Sequence, residues 1–135
     1  MIVGPPAAPT TTFTCPFAST AMVGVMDGDK VKVVVGGAGG PTIITATTQV
    51  LLDVVDWNLD AQAAIVAPRI HDQWFPEMLG VEPGFSQSTL DALARDGQKV
   101  KPAPGPIGKV NVVVRAGKGL DAASEPRSPS GPAGY

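Results

Sequence analysis

Residues 30–55, KVKVVVGGAGGPTIITATTQVLLDVV, decide the fold. A valine-rich run predicts a strand that ends in the five-residue loop Gly36-Gly37-Ala38-Gly39-Gly40. Pro41 then occupies the place of a first helical residue. Apolar side chains follow at the three-to-four spacing of a helix face: Ile43, Ile44, Thr47, Val50, Leu51, Val54 and Val55. The β-branched residues also favour a strand, but a strand of about 15 residues is far longer than usual. We therefore predict a helix.

The sequence also predicts one pair of strands before the helices and another pair after them. Asp27-Gly28-Asp29 separates two β-rich runs, residues 21–26 and 30–35, which is typical of a hairpin. Residues 110–115 and 120–124 predict a second, closing hairpin across residues 116–119.

Two more helices lie between these hairpins. Asp60 is a typical N-cap for a short helix over 61–66 that stops before Pro68. Ser86 is a typical N-cap for a third helix, which runs through Arg95 and ends at Gly97. The order of strands, helices and strands predicts an α+β fold, an antiparallel sheet with helices packed on one face.

Composition bounds the chain to one domain and excludes several partners. The 135 residues are 44% hydrophobic, and a net charge of −2 gives no reason to expect nucleic acid or an anionic membrane as partner. Cys15 is the lone cysteine, so we expect neither an intrachain disulfide nor a cysteine-based zinc site. No stretch has the pattern of a signal peptide or a membrane span, which leaves the localisation open.

The glycine loop is the first candidate site. Backbone N–H groups at a helix N-terminus can hold negative charge, either a phosphate or the oxyanion of a tetrahedral intermediate. A plain tight turn is equally compatible with the sequence. A Walker loop is excluded because no Gly-Lys-Ser/Thr ends it.

Residues 67–74, APRIHDQW, are dense in polar side chains and form either a site or a buried polar latch. Arg69 suits an ion pair or a carbonyl clamp better than acid–base catalysis. His71 has no second ligand at metal spacing, so we expect no metal and no cofactor. Residues 124–127, SEPR, are similarly ambiguous, with a solvated turn as the simplest interpretation. Asp53 and Asp56 are interpreted as solvated helix charges.

Three segments in the same order resemble γ-glutamyltranspeptidase, also called glutathione hydrolase. They are GGAGG at 36–40, APRIHDQ at 67–73, and ASEPR at 123–127 before a closing AGY at 133–135. The likeness is to the C-terminal part of the small subunit of that family and runs from about Met22 to Tyr135.

The resemblance implies part of an N-terminal nucleophile (Ntn) hydrolase fold, an αββα sandwich. In that family a threonine freed by self-cleavage attacks the γ-glutamyl carbonyl, and water or an amine acceptor releases the acyl group. Gly39 and Gly40 would form the oxyanion hole. Arg69, His71, Gln73 and Arg127 would support the site. Family members are usually periplasmic or extracellular.

Two features of the family pattern are missing from the sequence. No Thr-Thr-His-x-Ser stretch, which carries the nucleophile, precedes the glycine loop, and residues 10–12 in a proline-rich arm do not replace it. Thr12 and Phe13 stand where the family has a Ser-Ser pair for the substrate carboxylate, before Cys15-Pro16.

We therefore expect a Pro/Thr-rich extended arm over 1–20, a partial γ-glutamyltranspeptidase-like domain over 21–124 and a family-like tail over 125–135. The chain would be inactive alone, and would act on a glutathione-like γ-glutamyl compound only when a nucleophile-bearing chain completes it. The alternatives are a non-catalytic remnant that binds or self-associates and, last, a phosphate-binding module. A half-sandwich exposes an apolar face, so a homo- or hetero-oligomer is expected.

Overall fold

The computed structural model describes residues 20–127, which form an α+β fold with two sheets. The elements in chain order are β1 (Thr20–Asp27), β2 (Lys30–Ala38), α1 (Thr42–Val55), α2 (Ala61–Val66), β3 (Ile70–His71), β4 (Leu79–Val81), α3 (Gln87–Arg95), β5 (Val100–Pro102), β6 (Lys109–Ala116) and β7 (Gly119–Ser124). Residues 1–19 of the predicted arm and 128–135 of the predicted tail, including Cys15 and the Thr12-Phe13 pair, lie outside this range.

The main sheet is antiparallel and has the order β1-β2-β6-β7. Both predicted hairpins are confirmed. Asp27 pairs with Lys30 across Gly28-Asp29, and Ala116 pairs with Gly119 across Gly117-Lys118. Gly28 and Gly117 have φ of 62° and 59°, which a two-residue hairpin turn requires and glycine adopts without strain.

The core lies between this sheet and the helices α1 and α2. Val33, Val35, Val110 and Val112 are 0–1% exposed and point to the same face, because side chains two residues apart share a face of a strand. Burying each valine stabilises the fold by roughly 1.5–3 kcal/mol. Both helices pack on the main sheet, as the sequence predicted, whereas α3 contacts β5 of the other sheet.

Helix α1 lies unusually close to β2 at Gly37. A Cβ atom on Gly37 would lie 2.7 Å from Thr47 Cγ2, closer than real Cβ contacts. The glycine therefore lets the helix approach the sheet directly before the chain turns from β2 into α1.

The structure corrects the prediction for the glycine loop. β2 continues through Gly36, Gly37 and Ala38, which pair with Asn111, Val110 and Lys109 of β6. Only Gly39 and Gly40 remain as the turn, with Pro41 as the helix N-cap rather than the first helical residue. Pairing with β6 overrides the glycine composition, which by itself is typical of a loop.

The predicted helical face is wrong at one position. Ile44 is 75% exposed, and Ala46 is fully buried in its place. Residue 46 lies on the same side of the helix as Val50 and Val54, at intervals of four, and the close approach to the sheet leaves room there for a small side chain.

A small second sheet, β3-β4-β5, was not predicted. β3 pairs antiparallel with β4, and β4 pairs parallel with β5. These strands have two or three residues each, which is too short for an alternating pattern to be read from the sequence. The sheet places His71 beside α1.

Candidate functional site

The glycine turn between β2 and α1 has a backbone that side chains rarely adopt. Gly39 has φ 142° and Gly40 φ 61°. A Cβ on Gly39 would lie 2.6 Å from Thr42 Oγ1 and 3.0 Å from Gly108 Cα, whereas one on Gly40 would meet nothing within 4 Å. Gly39 is therefore required by conformation and by space, and Gly40 by conformation alone.

The carbonyl groups of the glycine turn accept hydrogen bonds from the first residues of α1. Thr42 donates to Gly39 O through its hydroxyl at 2.8 Å and its N–H at 3.4 Å, and Ile43 N–H donates to Gly40 O at 3.2 Å. Within residues 20–127, the Gly39 and Gly40 N–H groups donate to no protein acceptor. They lie at the positive end of a 14-residue helix dipole, an arrangement suited to an anionic oxygen.

His71 is held by hydrogen bonds at both ring nitrogens. Nδ1 lies 2.8 Å from Thr45 Oγ1 of α1, and Nε2 lies 3.1 Å from Gln73 Oε1. The Gln73 amide nitrogen donates to Phe75 O, which leaves its oxygen to accept from Nε2–H. A neutral ring with the proton on Nε2 satisfies the whole chain of bonds, because Nδ1 then accepts from the Thr45 hydroxyl.

Gln49 fixes β3 against the same helix. Its amide nitrogen donates to Ile70 O at 2.8 Å, and its oxygen accepts from Ile70 N–H at 2.9 Å. Thr45 and Gln49, one turn apart on α1, thus position the residues that lead to the loop 72–76.

A cavity of about 480 Å³ opens beside the turn, and Thr42, His71 and Gln73 contribute to its wall. The remaining wall is largely apolar and comes from Pro76, Met78, Gly80, Ala103, Pro104, Gly105, Pro106 and Ile107. Trp74 and Phe75, in the loop between Gln73 and Pro76, are exposed. The cavity and this loop form one continuous region next to the helix N-terminus.

Arg69 lies apart from that cavity, in a buried ion-pair cluster. Its Nη1 is 2.8 Å from Glu125 Oε2 and 3.1 Å from Ile107 O, and Nη2 donates to Ile65 O at 2.7 Å. Nε is buried and has no partner within residues 20–127. Arg69 is a clamp between α2, β3 and the chain after β7.

Arg127 and Glu82 complete the cluster. Arg127 lies 2.6 Å from both Glu82 Oε1 and Glu125 Oε1 and donates to Ile65 O. Glu82 also accepts from the N–H groups of Arg69 and Ile107. Two arginines and two glutamates thus balance their charges, which burial requires.

The predicted site residues therefore fall into two groups. Gly39, Gly40, His71 and Gln73 surround the turn and the cavity, whereas Arg69 and Arg127 belong to the ion-pair cluster, so residues 124–127 are not a solvated turn. Sequence reasoning missed Thr45, Gln49, Glu82 and Met78. No local pattern marks them, because their partners are distant in sequence.

Asp53 also differs from its interpretation as a solvated charge. It is half-buried on α1, and burial raises its carboxyl pKa above the ordinary value, with the positive charge of Arg69 acting in the opposite direction.

No metal-binding group of three or more His, Cys, Asp or Glu side chains occurs in the part of the chain that the structure describes. Over the same residues, no helix has the length and apolar character of a membrane span.

Comparison with known proteins shows the family of the chain. The family model for γ-glutamyltranspeptidase matches residues 13–135, starting upstream of Met22, where the resemblance was expected to begin. The glutathione hydrolase proenzyme of Escherichia coli K12 is 37% identical over 113 residues, which are 84% of this chain and 20% of that protein. The chain thus spans about a fifth of the length of the curated relatives it matches.

Solved structures agree with this match. The Helicobacter pylori γ-glutamyltranspeptidase T380A mutant has a TM-score of 0.75 at 32% identity, over 94% of this chain and 70% of that chain. The Pseudomonas nitroreducens γ-glutamyltranspeptidase complexed with L-DON has a TM-score of 0.76 at 26% identity, over 99% and 71%. The fold is therefore an α+β fold of the Ntn-hydrolase type. The chain belongs to the γ-glutamyltranspeptidase family.

Proposed function

We propose that this chain is the C-terminal portion of a γ-glutamyltranspeptidase-like enzyme and supplies its oxyanion hole through the N–H groups of Gly39 and Gly40. The observation that carries the proposal is the turn itself. Two N–H groups without a partner in residues 20–127 lie at the N-terminus of α1, and a side chain on Gly39 would disrupt them.

The chemistry follows from that placement. When a hydroxyl attacks the γ-glutamyl carbonyl, the carbonyl oxygen becomes an oxyanion that accepts from both N–H groups. Removal of one such donor lowers kcat by a factor of roughly 10²–10³. Relatives named glutathione hydrolases support a glutathione-like γ-glutamyl compound as the substrate class. Water or an amine then releases the acyl group, and no cofactor takes part.

The polar residues near the turn act as support in this proposal. His71 and Gln73 hold the loop 72–76 against α1, and Arg69 and Arg127 hold the chain after β7 against α2. None of them needs to exchange a proton during the reaction. The division into an arm, a domain over 21–124 and a tail is part of the same proposal.

The nucleophile comes from elsewhere in this proposal. No Thr-Thr-His-x-Ser stretch precedes the glycine turn in these 135 residues. We expect the purified 135-residue chain to be inactive and to become active when a nucleophile-bearing chain of the family completes the sandwich.

Chromophore release from γ-glutamyl-4-nitroanilide tests this proposal. The assay contains the chain alone, a separately expressed nucleophile-bearing partner alone, and both together. Turnover only in the mixture is the expected result, and Gly39→Ala in the chain should lower it by about 10² or more. The matched control is Gly117→Ala, at a positive-φ glycine in the distant β6–β7 turn.

Two results would contradict the proposal. Turnover by the chain alone that survives alanine at Thr10, Thr11 and Thr12 would show that another residue of the 135-residue chain is the nucleophile. No turnover in the mixture, with both proteins folded, would remove the enzymatic role.

A non-catalytic, self-associating protein is the second candidate, and the outer face of the main sheet favours it. Gly24, Val34, Val113 and Ala122 form one cross-strand row on the face away from α1 and α2. Val113 is exposed there. Light scattering distinguishes the candidates, because self-association through this face should persist when the family partner is added, whereas a completed sandwich would replace it with a heteromeric complex.

A further inference from the structure

We propose that the cavity beside Arg127 binds an uncharged carbonyl compound with a flat apolar body, such as an aromatic carboxamide. The cavity measures about 510 Å³, which lies in the usual range of small-molecule sites. Its wall combines proline rings with the exposed edge of the buried ion-pair cluster. The assignment does not depend on the proposed function and would stand if the chain had no enzymatic role.

Arg127 supplies the hydrogen-bond donors of this cavity. A guanidinium has five N–H groups. Nε lies 2.6 Å from Glu125 Oε1, Nη1 lies 2.6 Å from Glu82 Oε1, and Nη2 donates to Ile65 O at 2.9 Å. Two N–H groups therefore have no acceptor among residues 20–127. The Arg127 side chain is 26% exposed, so a ligand in the cavity can reach it.

The charges around these donors are already balanced. Glu82, the acidic residue of the wall, accepts from the N–H groups of Ile107 and Arg69 at 2.6 and 2.9 Å. It also pairs with Arg127, and Arg69 pairs with Glu125. A ligand carboxylate would find no surplus cation and would be repelled by Glu82, whereas an ammonium group would be repelled by Arg127. An uncharged carbonyl oxygen can accept from Arg127 without either cost.

Proline rings and one valine provide the apolar part of the wall. They are Val66, Pro68, Pro83, Pro106 and Pro126. The fixed φ angles of the prolines hold the rings in place, so an entering ligand orders little of the protein. Val66 is 51% exposed and loses contact with water when an apolar group covers it, which favours binding. The cavity therefore suits a flat ring whose carbonyl oxygen points to Arg127.

Segment 103–106 contributes to the wall of this cavity and to the wall of the cavity beside the glycine turn. NMR signals from that segment would respond to a ligand in either place. Val66 and Arg127 line the first cavity alone, and Met78 and Gly80 line the second alone. The amide signals of these four residues therefore report which cavity a ligand occupies.

Titration of the purified chain with benzamide, followed by NMR, tests the assignment. Benzamide should shift the Val66 and Arg127 amide signals and leave those of Met78 and Gly80 unchanged. A Kd of about 1 mM is expected for a ligand of this size. Benzoate and benzylammonium have the same ring but carry a charge, and each should bind roughly tenfold more weakly.

A lysine in the wall should reverse the charge preference. Val66→Lys adds a cation at a half-exposed position, so benzoate should bind at least as tightly as benzamide in this variant. Leu52→Lys is the matched control, because Leu52 is similarly exposed at 43% but lies on α1, outside the cavity wall. There benzamide should remain the tighter ligand.

A second pair of variants guards against misfolding of the first. Pro83→Ser removes an apolar ring from this cavity and should weaken benzamide binding several-fold, whereas Pro104→Ser changes only the cavity beside the glycine turn and should not.

Three results would overturn the assignment. They are the absence of a saturable benzamide shift in the parent chain, shifts confined to Met78 and Gly80, and equal affinities of the parent chain for benzamide and benzoate. An unchanged preference in Val66→Lys together with equal losses in Pro83→Ser and Pro104→Ser would also reject it.

Discussion

Arg69 and Glu125 form a fully buried ion pair, with Nη1 2.8 Å from Oε2 and both side chains 1% exposed. The pair joins the residue before β3 to the residue after β7, and Arg127 and Glu82 extend it into a charge-balanced cluster. The cluster links both sheets to α2, since Arg69 and Arg127 also donate to Ile65 O.

Glu125→Gln should destabilise the fold by about 3 kcal/mol, because it leaves the buried Arg69 guanidinium without its counter-charge. Urea denaturation followed by circular dichroism measures the loss. Glu77→Gln is the matched control, because Glu77 pairs with Lys99 on the surface, where such a pair contributes about 0–1 kcal/mol. Similar effects of the two changes would show that the buried pair has no special role in stability.

Alanine at the two turn glycines should have unequal effects. Gly39→Ala combines an unfavourable φ with a 2.6 Å contact to Thr42 Oγ1, and should cost about 3 kcal/mol. Gly40→Ala has space around its methyl group and should cost about 1 kcal/mol for its left-handed backbone. Thermal unfolding of both variants tests the order, and a larger loss for Gly40→Ala would contradict this account of the turn.

Gln49→Ala should destabilise the fold by about 2 kcal/mol, because the N–H and C=O of Ile70 both lose their partner. Thr48→Ala, at an exposed neighbouring position of α1, should change stability by less than about 0.5 kcal/mol. Hydrogen exchange adds a local readout, since the Ile70 amide should exchange faster in Gln49→Ala. An unchanged exchange rate would show that β3 is held by other contacts.

The raised carboxyl pKa of Asp53 predicts a pH-dependent stability change. A raised pKa means that the folded state binds the proton more readily than the unfolded state, so stability falls as pH rises from 3.8 through the folded-state value. Asp53→Asn removes this loss. The variant should be more stable than the parent at pH 7, and the difference should vanish below pH 3.8. Urea titrations across this range measure it.

Asp29→Asn, at an exposed position of the first hairpin turn, controls for net charge. A gain of equal size in Asp29→Asn would assign the effect to overall charge rather than to burial. A loss in Asp53→Asn at pH 7 would instead show that the attraction of Arg69 outweighs desolvation.

Local signals in the sequence predicted most of the secondary structure. Gly28 and Gly117 predicted two hairpins, and Asp60 and Ser86 predicted helix starts that the structure confirms by side-chain caps. These signals work because each acts within about four residues of the backbone that it shapes. The family was likewise evident from three short segments in a fixed order.

Long-range pairing caused the errors. Gly36 and Gly37 belong to a strand because β6 pairs with them, and Ala46 rather than Ile44 is buried because α1 lies close to Gly37. The second sheet consists of strands too short to have a period. Met78 lies in the cavity wall only because segments more than 20 residues apart in sequence meet there.

The sequence by itself determined the family, the two hairpins and the three helices, because backbone conformation and short-range capping depend on neighbouring residues. The tertiary structure alone decided that Arg69 meets Glu125 across 56 positions, that Gln49 holds Ile70, and that an apolar cavity borders the glycine turn. Such contacts depend on which segments meet when the core closes, and no local spacing encodes that meeting.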